Sequence, residues 1–373
     1  MYIDICKKEI RQVNKTAILQ QTAYWSEVKS RQGWTSCAFD FKVPRQELFA
    51  DAQQDRFEES DVLVILRQIN DEHCIAYVPY GPETEPAAER QGVFLEELSE
   101  SLRPFLPSQC ILLRYDLAWQ SHWSADEGYF DENGVWMGPP PKKIQELRFN
   151  YNTRNWNLKK ANSDILPSNT IFMDLQKDED LLLDRMKTKT RYNIQLARRK
   201  GVQVKAAGLE NIDTWYNLYA QTCARNGIVQ ENISYFRTIL TARANNSTSP
   251  ADVEMLLAEV DGIPLAAMFL VVSGHRGTYL YGASSDTHRN FMGTYMLQWE
   301  AMRRAKRKGC TEYDFFGISP SPDPQHPLYG LYKFKGGFGG EIFHRMGCWD
   351  YPLQEAPYAA YTAAELNSKG YHR

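Results

Sequence analysis

With 373 residues, 43% of them hydrophobic and 24% charged, the chain is long enough for two ordinary domains and has a globular composition, which excludes a disordered or fibrous chain. A net charge of −3 excludes nucleic-acid binding through overall charge, so any such contact requires a local basic patch. The seven cysteines and seven histidines are scattered without metal-ligand spacing or an H-E-x-x-H pattern; reduced thiols, a cytoplasmic location and no metal site are expected.

The opening MYIDICKKEIRQ has no apolar core of a signal peptide, and no run approaches the roughly 18 apolar residues of a membrane span. An aromatic content of 13% suits either grooves with amphipathic walls or an aromatic-rich core.

In chain order, TAYWSEVKSRQGW (22–34) reads as an amphipathic helix on which Trp25 and Val28 share a face. Strand-like runs follow at 62–69 and 74–81, then a helix at 93–102 and a strand, ILLRYD, at 111–116. The stretch 117–166 looks irregular, with three consecutive prolines in GPPPKK, and 165–175 reads as the first strand of a second unit. The basic stretch DRMKTKTRYNIQLARRKG (184–201) reads as a helix that opens that unit, either a phosphate-binding cluster or a solvated face. A helix at 213–227 stops at Gly227, and the strands 253–260 and 264–272 are joined by Asp261-Gly262, a strong hairpin signal. A strand at 277–285, a helix at about 292–308 stopped by Gly309, and a strand at 311–318 complete the series.

The halves echo one another. Tyr77-x-x-Tyr80-Gly81 returns as Tyr279-x-Tyr281-Gly282, and Arg114-Tyr115-Asp116 as Glu312-Tyr313-Asp314, each after about 200 residues. The fold class expected is α/β (α+β), with two related domains, each on a mixed sheet. The boundaries expected are 1–166, completed by 347–373, and 167–346.

Two glycine-containing stretches invite a phosphate reading. Arg289-x-x-x-Gly293 precedes a helix, as at the pyrophosphate site of acyl-CoA N-acyltransferases, but the bulky Tyr295 follows where a small residue belongs. In GLYKFKGGFGG (330–340) the glycines follow the lysine, and no Ser or Thr stands ready for magnesium, so a P-loop is excluded. LYKFK reads instead as a strand, with Tyr332 and Phe334 on one face, Lys333 and Lys335 on the other, and Lys335 in a cleft.

The succession WSEVK, MKTKTRYNIQLARRKGV, CARNGI, YLYGASS, TYMLQWEAM, EYDFFGI and LYKFKGGFGG resembles the FemABX family from about residue 16 to 352. The resemblance implies two tandem acetyltransferase-like (GNAT) domains. It also implies an aminoacyltransferase of peptidoglycan and cell-wall biogenesis. Such an enzyme moves an amino acid from aminoacyl-tRNA, its co-substrate, to the side-chain amine of residue three of a precursor stem peptide. No other cofactor is implied. The acceptor is lipid-linked or UDP-linked, and contact with the inner membrane face is peripheral. The chain turns to Gly201-Val202 straight after Arg198-Arg199-Lys200, so it is similar to the FemX-like members without a helical arm.

The resemblance assigns catalysis to Lys335 with Phe334 before it, phosphate contact to Lys29, and a strand-end carboxylate to Asp116. It places Tyr235 and Tyr281 along the substrate channel. Where armless members carry a phosphate-binding arginine this chain has Glu231, so Arg225 or Arg237 is expected to substitute. Lys335 would stabilise a tetrahedral oxyanion, while Asp116 would accept the amine proton or anchor the acceptor ammonium. Each position also has a plain structural reading: an edge-strand lysine, a solvated helix face for Lys29, a turn cap for Asp116, core for Tyr281. Trp25, Trp34 and Trp299 are expected in the core. An acyl-CoA N-acyltransferase, an aminoacyl-tRNA–protein transferase and a non-catalytic precursor-binding module remain as alternatives.

Overall fold

The computed structural model describes residues 1–50 and 56–367. Residues 51–55 and 368–373, the latter within the stretch expected to complete the first unit, lie outside the described residues.

The first half contains β1 (Asp4–Lys8), α1 (Ala23–Ser30), β2 (Thr35–Pro44), α2 (Arg45–Leu48), β3 (Phe57–Gln68), β4 (Cys74–Val78), α3 (Gln91–Leu102), β5 (Cys110–Gln120), α4 (Lys142–Phe149) and β6 (Lys159–Lys160). Next come β7 (Asn169–Asp174), α5 (Glu179–Arg185), α6 (Thr188–Arg199), β8 (Gln203–Ala207), α7 (Ile212–Asn226), α8 (Ile233–Thr241), β9 (Asp252–Val260), β10 (Ile263–Ser273) and β11 (Arg276–Ser284). The chain then forms α9 (Gly293–Arg307), β12 (Glu312–Asp314), α10 (Tyr329–Lys335), β13 (Glu341–Pro352) and α11 (Glu355–Asn367).

Local chemistry sets many of these ends. Thr22 caps α1 by accepting from the Trp25 amide, and Asp178 caps α5 by accepting from Leu181. Gly227 closes α7 at φ +63°, and the β9–β10 turn puts Asp261 and Gly262 at φ +48° and +77°, as a tight hairpin requires.

Among the described residues the strands join in one mixed sheet, ordered β1-β2-β3-β4-β5-β13-β7-β12-β11-β10-β9-β8, with β6 on β13. Only β4–β5 and β11–β12 are parallel, and the crossover helices α3 and α9 link them. Each half is thus an antiparallel run ending in a β–α–β unit, which is the sequence echo in three dimensions. β13 joins the halves: residues 341–344 pair with β7 and residues 345–352 with β5.

Strands β2 to β5 pack with α3 around Phe41, Phe94 and Trp119, and β7 to β12 pack with α6 and α9 around Met268, Trp299 and Tyr313. A third cluster crosses between halves. Tyr24, Trp25 and Val28 of α1 pack with Trp215, Phe236 and Phe269, and the Tyr24 hydroxyl donates to the Ile239 carbonyl at 2.6 Å. Full burial of such side chains contributes about 1.5–3 kcal/mol each, so α1 is fastened to the second half through its apolar face.

Four expectations are corrected. LYKFK is helical, in α10, because its aromatics satisfy a spacing of four. Phe334 meets Phe338 at 5.4 Å and Tyr295 of α9 at 5.1 Å, while Lys333 lies over the Tyr329 ring at 5.4 Å. Strand β12 ends at Asp314, since Phe316 turns to φ +58°. Strand β5 runs on to Gln120 to pair with β13, so Asp116 lies within a strand and not at its end. The stretch 117–166 contains α4, which begins just after Pro141, where proline is compatible with a first turn.

The changeover in β13 needs Gly347, at φ +66° in a bulge between Arg345 and Gly347, where a Cβ would collide with the Asp164 carboxylate. Gly347→Ala is expected to cost about 1–3 kcal/mol, seen as a lower urea midpoint at unchanged m-value; an unchanged midpoint would show that the bulge relaxes freely.

Candidate active site

Strands β11 and β12 pair only as far as Thr278 and Asp314. Beyond that, 315–318 follows β7 instead: the Phe315 amide donates to Ile171 and the Ile318 amide to Asn169. The carbonyls of Phe316 and Gly317 are therefore left out of the ladder on the β11 side. Lys335, only 4% exposed, fills that opening. Its Nζ donates to the Gly317 carbonyl at 2.6 Å and the Phe316 carbonyl at 3.2 Å, and lies 5.1 Å from the centre of the Tyr279 ring. Among the described residues it forms no ion pair. Burial pulls its pKa down to about 7, against the opposing pull of Asp314. An ammonium has three N–H donors, so one remains for an incoming acceptor. Phe334 does not face the opening; it packs against Tyr295 and Phe338 and braces α10.

Asp116, the first-half counterpart of Asp314, is fully buried. Its Oδ2 accepts from the Tyr77 hydroxyl at 3.0 Å and from the Leu166 amide at 2.8 Å, while Oδ1 has no hydrogen-bond partner among the described residues. Burial, then the negative charge of Asp164, pushes its pKa up to about 7. The Asp116 carboxylate thus holds the Leu166 amide, and Pro167 lies against Gly317 beside Lys335. The second-half counterpart, Asp314, is paired: it accepts from Arg345 at 3.3 Å, the Phe316 amide at 2.8 Å and the Thr170 hydroxyl.

Lys29 sits in an aromatic box. Its Nζ is 4.9 Å from the Trp25 ring, 4.8 Å from Trp34 and 5.5 Å from Tyr235, and its hydrogen bond goes to Gln32. Burial lowers its pKa to about 8; Glu231 opposes this and Arg67 adds to it. The Tyr235 and Tyr281 hydroxyls share a 2.6 Å hydrogen bond, so Lys29, Tyr235 and Tyr281 form one cluster across the two halves. Arg225 stands elsewhere, ion-paired with Asp286 and bonded to Ser284, and Arg237 reaches Asp213.

Sequence reasoning missed Arg67, which lies on β3 with its guanidinium 5.6 Å from the Trp34 ring. No motif surrounds it; the pairing of β2 with β3 brings it to Trp34. It also left Trp25 and Trp34 as plain core, although both wall the Lys29 box.

A cleft of about 560 Å³ opens where the halves meet, with Tyr80, Trp119, Asp314, Phe316, Phe343 and Arg345 among its walls. Phe316 thus presents its side to this cleft and its carbonyl to Lys335. At the start of α9, Gly293 packs closely on Leu265 and Tyr295 is stacked on Phe338.

Residues 10–261 and 252–366 match the model of the FemAB family. Over 274 residues the chain is 26% identical to a lipid II:glycine glycyltransferase of Staphylococcus epidermidis, covering 58% of this chain and 65% of that protein. Over 256 residues it is 26% identical to the protein of the same name from Staphylococcus aureus, covering 52% and 61%. The chain thus matches less than two thirds of the length of these relatives. The crystal structure of FemX superposes with a TM-score of 0.70 at 18% identity over 96% of this chain and all of the other. A tandem GNAT protein from the clavulanic acid biosynthesis pathway gives 0.50 at 11% identity over 94% and 98%. At these identities the likeness is one of fold: a mixed α/β architecture of the tandem-GNAT kind.

The Asp116 carboxyl makes a pH-dependent contribution to stability. Its folded pKa of about 7 exceeds the unfolded value near 3.9, so the native state holds the extra proton between these values. That contribution is present at low pH and fades as pH rises from about 4 through 7. Asp116→Asn is therefore expected to raise Tm relative to wild type more at pH 8 than at pH 5. An equal difference at both pH values would show that Asp116 does not titrate between them.

Proposed function

The chain belongs to the FemAB family, and we propose that it transfers an amino acid from aminoacyl-tRNA to the side-chain amine of residue three of a peptidoglycan precursor stem peptide. The observation that carries this reading is Lys335, a buried ammonium with one free donor in the opening between β11 and the 315–318 segment. The names of the Staphylococcus relatives support lipid II as the acceptor, and make glycine the first amino acid to test.

The donor is an ester, already reactive toward amines. The acceptor amine attacks its carbonyl, a C–N bond forms, and the carbonyl oxygen becomes an oxyanion. The third Lys335 N–H donates to that oxygen, while the Phe316 and Gly317 carbonyls hold the ammonium in place. Collapse breaks the ester C–O bond, and the amine proton ends on the released ribose hydroxyl. Direct aminolysis needs no protein nucleophile. Phe334 braces α10 under Lys335. Asp116, enclosed behind Leu166, acts as a positioning residue for 164–167 and not as the proton acceptor. Lys29 and Arg67 together receive the diphosphate of the precursor, beside the Tyr235–Tyr281 pair. Arg225, held by Asp286, takes no part in that contact. Contact with the membrane is peripheral; among the described residues no helix is long and apolar enough to cross one.

Lys335→Met is expected to lower kcat in single-turnover transfer by about 100- to 1000-fold in a folded protein. With Lys335 titrating at about 7, the wild-type rate should fall as pH rises through that value, and this limb should vanish in the variant. A near wild-type rate in Lys335→Met would remove the oxyanion role. Arg67→Ala is expected to raise KM for the muropeptide about tenfold at similar kcat, whereas Arg225→Ala should leave KM unchanged.

A further inference from the structure

The basic stretch at 184–201 has no part in the site described above. On α6, Thr190, Asn193, Ile194 and Ala197 are buried, the i, i+3, i+4, i+7 face that packs on the core. The opposite face carries Lys189, Tyr192 and Arg199, with Lys187 just before the helix; all four are exposed, Tyr192 at 53%. The Arg199 guanidinium lies 5.9 Å from the Tyr192 ring. Among the described residues none of these three cations has an acidic partner at salt-bridge distance. Most basic residues of the neighbouring α9, by contrast, are neutralised: Arg303 by Glu179 and Glu300, Arg304 by Glu254, Arg307 by Glu300. The surface of α6 keeps its charge unspent.

The ends of this helix are the second observation. At the start, the Lys187 amide donates to the Gly337 carbonyl at 2.9 Å, two residues past Lys335. At the finish, Lys200 Nζ donates to the Asn290 carbonyl at 2.8 Å, beside Arg289, which is exposed and has no acidic partner among the described residues. A stripe of cations and one aromatic ring therefore runs for about 18 Å along a helix anchored at the catalytic segment. Phosphate charges and an unstacked base suit such a stripe. A protein with net charge −3 has no general affinity for polyanions, so this local patch must supply it.

We propose that the exposed face of α6, through Lys187, Lys189, Tyr192 and Arg199 with Arg289 beyond it, is the docking surface for the acceptor arm of an RNA whose 3′ end enters at Lys335. This deepens the transfer reading and rests on it for the identity of the RNA. The contacts are to backbone phosphate, so docking is insensitive to stem sequence and steeply salt-dependent.

The test is fluorescence anisotropy with a labelled RNA hairpin of acceptor-stem length ending in CCA, on the full chain and on the double variant Lys189→Glu/Arg199→Glu. Tm is checked to be unchanged, and sedimentation with anionic phospholipid vesicles runs in parallel. Wild type should bind the hairpin, at least tenfold more tightly than the variant at 50 mM salt, and the slope of log Kd against log salt should fall by about two in the variant. In transfer assays the variant should raise KM for aminoacyl-tRNA and leave KM for the muropeptide unchanged. Equal hairpin binding by both proteins, no binding by either, or a loss confined to vesicles, which would make the patch a membrane contact, overturns the proposal. Hairpin binding lost in the variant, from a wild type that performs no transfer, would sustain this surface while removing the transfer reading.

Discussion

Everything at the centre of this molecule depends on one strand serving two half-sheets. Strand β13 pairs with β7 through residue 344 and with β5 from residue 345. At that point the buried Arg345 reaches both halves: it pairs with Asp314 at 3.3 Å, donates to the Pro167 carbonyl at 3.3 Å, and lies 4.5 Å from the Tyr80 ring. A buried guanidinium is costly to desolvate unless its donors are met, so these partners hold the register of the junction. The 560 Å³ cleft lies directly over this contact.

The same construction appears twice with different partners. In both halves a parallel strand pair parts beyond a Tyr-Asp step, leaving main-chain groups without ladder partners, and buried polar groups of this kind are almost always satisfied. In the first half the Pro79 and Pro82 carbonyls are met by the Gln21 and Trp119 side chains, and the Leu166 amide by the Asp116 carboxylate. In the second, a lysine ammonium satisfies the Phe316 and Gly317 carbonyls. The duplication supplies the scaffold; the partners differ, neutral side chains in the first half and a lysine ammonium in the second.

Lys29 and Lys335 share an electrostatic condition. Both are withdrawn from water with no carboxylate at salt-bridge distance among the described residues, and burial lowers the pKa of each. A cation in that state is destabilising alone and gains most from an anion that arrives with the substrate or forms during reaction. One site suits a standing anion, flanked by Trp25, Trp34 and Arg67; the other suits a transient one, in the opening beside Tyr279.

Much was legible in the sequence because it rests on local chemistry. The Asp261-Gly262 hairpin, the Gly227 stop, the duplicated Tyr-Asp strands and the amphipathic α1 each follow from backbone preference or periodicity over a few residues. The candidate positions Lys29, Tyr235 and Tyr281 were legible as motif residues, and they do meet. LYKFK was misread because its alternation fits a strand, while the packing of Phe334 and Phe338 on Tyr295 is a tertiary fact that only a helix satisfies. Arg67 carries no motif, and Arg225 is engaged by Asp286, 61 residues away; sequence spacing is silent on both. The amino-acid order alone thus determined the elements and their repetition, since these depend on neighbours along the chain. Only the tertiary structure decided which cation is buried, which is neutralised and which is left exposed, because charge state depends on solvent exclusion and on partners brought from distant strands.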